Sequence, residues 1–173
     1  MGIVIRIFAC LAAILASGTV ISRAQDSGLL IQIRAQIHEI NQNLPSCTRQ
    51  SKVVLGLSTE GANVDYFHDS EKLRKIAAQI YGETFNSEAE FYYRDGALLF
   101  AYEKFNRYDS QIGAEPPPKV VSSQVQRLYF DAAGLAALRI GEEDLSRGDA
   151  RWRDTERRMV ELSKDLQAAF RRD

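Results

Sequence analysis

Three hydrophobic patterns divide the chain. Leu30, Ile33, Ile37, Ile40 and Leu44 recur at spacings of 3, 4, 3 and 4, the period of one helical face. This predicts a helix over 25–45, with Asp26 or Ser27 placed to cap its start and Asn41 to Pro45 ending it. From 49 to 140 the alternation shortens to two, the period of strands with one buried face. From 149 to 171 the helical period returns in Trp152, Thr155, Met159, Leu162, Leu166 and Ala169, with Asp149 as the candidate cap. Asp149 with Arg153 and Asp154 with Arg158 have the i, i+4 spacing that favours ion pairs along such a helix.

The clearest strand signal is Glu88 to Arg94 and Ala97 to Phe105 flanking Asp95-Gly96, a pair suited to the left-handed conformations of a two-residue type I′ turn. A regular ladder from that turn sets Tyr93 against Leu98, Tyr92 against Leu99 and Phe91 against Phe100. Phe91, Tyr93, Leu98, Phe100 and Tyr102 then share an apolar face, and Glu88, Glu90, Tyr92, Arg94, Leu99 and Glu103 share a mixed, wet one. The signal has echoes: Phe67-His68 precedes Leu73 as Tyr92-Tyr93 precedes Leu98 and Tyr129-Phe130 precedes Leu135. Three related hairpins are the economical reading, and chance similarity is the competing one. An insertion from Tyr108 to Ser123, carrying Pro116-Pro117-Pro118, is expected to be loop. Leu73 to Tyr81 fits a strand or a helical face, and the repeat favours the strand. The expected fold is α+β: an antiparallel meander of six or seven strands, with the N-terminal and the long C-terminal helix covering one face.

The first 24 residues change the setting. Arg6 precedes an uncharged run from Ile7 to Ile21, and Ser22-Arg23-Ala24 offers small side chains where a signal peptidase cuts. The segment reads as a signal peptide over 1–24, with one domain over 25–173 and a periplasmic or secreted product after cleavage near Ala24. Cys10 sits too early in the run, behind the bulky Phe8, for a lipoprotein site. Cleavage removes Cys10 and leaves Cys47 as a lone thiol, buried and idle or open to an intermolecular disulfide. It also takes Arg6 and Arg23 from the 22 basic residues, leaving 20 against 23 acidic and a net charge of −3. That balance gives no grip on nucleic acid, and no stable membrane insertion is expected once the signal is gone.

The run from Leu73 to Phe105 contains Tyr81-Gly82-Glu83-Thr84, Glu90-Phe91-Tyr92-Tyr93 and Asp95-Gly96-Ala97-Leu98-Leu99-Phe100. It resembles a class of uncharacterised exported bacterial proteins with a Tyr-Gly-Glu turn, an aromatic strand and a Gly-x-Leu return strand. Its aromatic hairpins are also similar to MORN-type repeats. The resemblance implies an envelope-associated β-meander and brings no catalytic residues.

Candidate chemistry is sparse. Cys47, His68 and Asp65 or Asp69 are the one nucleophilic triad the chain allows, without a local signature. No metal motif, phosphate loop or cofactor signature is present. Glu88, Glu90 and Glu103 on the wet hairpin face make a carboxylate-pair hydrolase the third reading. Self-assembly through the Trp152–Phe170 helix or a Cys47 disulfide is the second. The first is a non-enzymatic envelope protein that binds a protein partner through Tyr92, Arg94, Leu99 and Glu103.

Overall fold

The computed structural model describes residues 18–172, with side chains from 28 onward. Helix α1 (Gly18–Asn43) runs uninterrupted through Asp26 and Ser27, so these are interior positions and not its cap. It ends where expected, in a 3₁₀ turn over Leu44–Ser46, because Pro45 has no N–H to continue the helix. Of the signal segment, residues 1–17 lie outside the described residues, and Gly18–Ala24 form the first turns of α1.

Eight strands follow: β1 (Thr48–Val54), β2 (Ala62–Asp69), β3 (Lys72–Gly82), β4 (Phe85–Arg94), β5 (Ala97–Tyr108), β6 (Val120–Asp131), β7 (Gly134–Ile140) and β8 (Glu143–Leu145). They pair in chain order as one open antiparallel sheet, closed in sequence by helix α2 (Ala150–Arg171). The count exceeds the six or seven expected. β8 carries no alternation to read; its polar Glu143-Asp144 pairs with Ile140 and Arg139. Leu73 to Tyr81 is strand, as the repeat implies. The proline-rich loop is shorter than expected, since Val120, Ser122 and Ser123 already pair with Tyr108, Arg107 and Asn106. The tight β3–β4 turn depends on Gly82, where a Cβ would lie 2.1 Å from the Phe85 ring.

Asp95 and Gly96 have φ of +51° and +82°, the left-handed pair that a type I′ turn requires. Tyr93 faces Leu98 as the regular ladder demands, but the next pair is Tyr92 with Phe100, and Leu99 is the extra residue of a β-bulge. The same shift falls between Phe67 and His68 and between Tyr129 and Phe130. All three hairpins therefore share one register, though not one turn conformation: His68, Tyr93 and Phe130 face Leu73, Leu98 and Leu135, and the ladder slips immediately beyond.

The slip overturns the expected sorting of faces. Phe91, Tyr93 and Leu98 pack with Tyr66, Ile76, Leu128, Leu138 and the α2 side chains Trp152, Met159 and Leu166. Phe100 and Tyr102, placed in that core by a regular ladder, instead join Tyr92, Tyr129 and Leu99 against Ile33 and its helical neighbours on α1. Each strand residue beyond the bulge changes sides when one residue is added. Both sheet faces are thus apolar in part, and the two helices cover opposite faces instead of one. On α2, Asp149 is the cap, its side chain accepting from the Arg151 N–H, and it pairs with Arg151 and not Arg153. Asp154 likewise pairs with Arg157.

Two buried tyrosines on the α2 side differ in one respect. The Tyr93 hydroxyl is 2.8 Å from Ser163 Oγ, whereas the Tyr66 hydroxyl is buried without a partner. Tyr66→Phe should raise the unfolding free energy by about 1 kcal/mol, and Tyr93→Phe should lower it by a similar amount, as read by urea titration. Burial pushes the Tyr66 phenol up to about 12. The folded chain holds a proton that the unfolded chain releases near pH 10, so stability should fall as pH rises from about 10 to about 12. Tyr66→Phe should flatten that decline in melts run across the alkaline range.

Candidate functional site

Helix α1 covers only part of its side of the sheet. Beneath it lie Tyr92, Phe100 and Tyr129, in a row that Lys75 and Phe67 continue across the strands. The next row is Ser51, Asp65, Ala77, Glu90, Tyr102, Arg127 and Arg139, and a further one is Val53, Asn63, Gln79, Glu88, Lys104 and Val125. Period-two alternation in seven strands brings these side chains to one face. Tyr102 borders the α1 cluster, and beyond it the two outer rows floor an open depression of about 490 Å³ reaching from Ser51 to Tyr102.

The first two rows meet at a half-buried ion pair. Lys75, with a side chain only 10% exposed, donates to Glu90 Oε1 at 2.7 Å and stands 4.8 Å from the Tyr92 ring centre. Tyr92 donates to the other Glu90 oxygen at 2.8 Å and lies 3.1 Å from the Asn41 amide on α1. Burial acts to lower the Lys75 pKa, but hydrogen bonding to Glu90 and Tyr92 outweighs it and leaves the amine above its ordinary value. Burial also raises the Tyr92 phenol. At the sheet edge Arg49 donates to Asp65 at 2.6 Å and holds that carboxyl below its usual range. Arg127 stands 5.8 Å from the Tyr102 ring centre, so the half-buried aromatic is framed by Glu90 and a guanidinium.

The residues expected to bind a partner are dispersed. Tyr92 is 3% exposed beneath α1, and Leu99 is partly buried beside it. Arg94 is exposed at the hairpin end, 3.8 Å from Glu39 of α1. Glu103 is 2% exposed and faces α2, because the Leu99 bulge moves it across the sheet. There Arg158 grips it with both guanidinium nitrogens, at 3.0 and 2.6 Å, and Ser87 and Gln126 donate as well. The expected Asp154–Arg158 pair is absent for this reason. Glu88 and Glu90 share the α1 side, so the three carboxylates do not form one cluster.

Cys47 is partly buried, its Sγ 3.6 Å from the Asn43 carbonyl. His68 Nδ1 is 2.6 Å from the Ser70 carbonyl oxygen, and its ring packs on Phe170, while Asp65 is on the other face with Arg49. The drawn triad is not assembled. The apolar stripe of α2 is spent on the sheet, with Met159 and Leu166 fully buried. Among the described residues no group of His, Cys, Asp and Glu converges as metal ligands would, and no helix is long and apolar enough to cross a membrane. Comparison with protein-family models, curated proteins and solved structures finds no match for this chain.

Sequence reasoning missed Tyr102, Arg127, Lys104 and Gln79 as members of one partly exposed face. The signal was present in the alternation of Tyr102 and Lys104, but the regular ladder assigned Tyr102 to the core. Arg158→Ala should cost about 3 kcal/mol in urea unfolding, because it leaves the Glu103 carboxylate buried beside neutral donors alone. Arg157→Ala, in an exposed pair, should change stability by less than about 0.5 kcal/mol.

Proposed function

We propose that the protein is an exported, non-enzymatic envelope protein that binds a protein partner on the uncovered polar half of the α1-side face. The observation that carries this reading is the depression floored by Ser51, Asp65, Gln79, Glu88, Glu90 and Tyr102, with a half-buried tyrosine set among both signs of charge. An aromatic side chain held by its neighbours loses little freedom on binding, and framing charges orient a partner. The face that does the binding is therefore displaced from Tyr92 and Glu103 to the rows around Tyr102. Export is compatible with the helix: among the described residues, side chains from Leu29 to Ile40 seat α1, and cleavage near Ala24 leaves these in the chain.

Affinity capture with the mature chain, Gln25 to Asp173, from its own envelope extract tests the reading. A stoichiometric protein partner retained by wild type should be lost, at least tenfold, with Tyr102→Ala and with Arg127→Glu, both checked for an unchanged melting temperature. Capture indifferent to both substitutions would remove this face from consideration.

A further inference from the structure

The two edges of the open sheet are unlike. β8 is three residues long and flanked by the Arg139–Asp144 and Arg151–Glu143 ion pairs, at 3.5 and 2.9 Å. Short length and charge are the usual protection of an edge. β1 has neither protection in full: it runs seven residues, has no proline, and pairs with β2 without a bulge. Among the described residues its outer side has no neighbouring strand. Val53 is 71% exposed and Leu55, just past the strand, 79%.

A second observation lies beside it. A groove of about 770 Å³ runs between this edge and the C-terminal half of α2, lined by Val54, Leu57 and Ala169, with Asp165 and Arg172 at its rim. Lys52 spans one end, donating to the carbonyl oxygens of Ala169 and Phe170 at 3.2 Å each. That contact satisfies the last carbonyls of α2 and opposes its negative dipole end. It also fixes β1 against the helix, so an incoming strand meets an edge that is already ordered.

Charge selects the occupant. β1 carries Arg49 and Lys52 and no acidic residue. Arg49 keeps a side chain 59% exposed even while paired with Asp65. A second copy would lay one basic strand against another, whereas an acidic strand would place opposite charges across the ladder. We propose that β1 receives an extended, acidic segment of a partner protein by antiparallel strand addition. The ladder supplies affinity through backbone hydrogen bonds, and side chains at alternate positions supply specificity. Apolar residues face Val54 and Val53, one acidic residue faces the exposed Arg49, and another lies opposite Lys52, whose ammonium hydrogen-bonds to neutral carbonyl oxygens and keeps its charge. This surface adjoins the Tyr102 face along β1, where Ser51 and Val53 border both, but Tyr102 itself stands on β5, four strands from the edge, and Tyr102→Ala leaves the edge intact.

The probe is a capped hexapeptide of sequence Val-Val-Glu-Thr-Thr-Glu, titrated into the mature chain and followed by amide NMR and hydrogen exchange. Shifts and slowed exchange should concentrate on Gln50 to Val54. The charge-reversed peptide Val-Val-Lys-Thr-Thr-Lys should bind about tenfold more weakly, and Arg49→Glu should narrow or invert that preference. Ser51→Pro should abolish binding; should it unfold the chain, the Arg49 comparison decides alone. Absence of β1 perturbation, equal binding of the two peptides, or sedimentation of the free chain as a dimer paired through β1 would each overturn the proposal.

Discussion

The structure depends on one extra residue in each of three hairpins. A regular ladder would keep alternate residues of both strands on fixed faces, and the helices would have a single apolar surface to cover. The bulge behind His68, Tyr93 and Phe130 breaks that rule at the same distance from each turn. Phe100 and Tyr102 then join Tyr92 on the α1 side while Tyr93 and Leu98 stay on the α2 side, and both sets find partners. The sheet becomes the middle of three layers because its strands have apolar side chains to bury on each side.

The layers are tied by charges as well as by packing. Glu103 and Arg158 bind the α2 layer, and Lys75, Glu90 and Tyr92 reach Asn41 on the α1 layer. Each buried group in these networks has partners of opposite charge or hydrogen-bonding capacity, which is the condition for burying them at all. On the α2 side Glu103 meets the Arg158 guanidinium. The networks therefore specify which helix lies on which face, whereas the apolar contacts alone are less selective.

What the helices leave bare gives the molecule its surfaces. The polar rows around Tyr102 and the free side of β1 both arise because α1 lies over only part of its face and the sheet never closes. One surface offers side chains of both charges; the other offers backbone groups and a short apolar groove. They suit partners of different kinds, a folded surface in the first case and an extended segment in the second.

Local pattern was enough for much of this. The helical stripes of Leu30 to Leu44 and Trp152 to Ala169, the Asp149 cap and the Asp95-Gly96 turn are all dictated by residues within a few positions of one another. The three related hairpins were legible for the same reason. The bulge was not: Leu98-Leu99-Phe100 reads equally well as regular strand, and only the demand for burial on two faces selects the slip. That single choice moved Phe100 and Tyr102 to one side and Glu103 to the other. The candidate face followed from it, because which polar residues remain in water is settled by where two distant helices pack, and no local spacing encodes that.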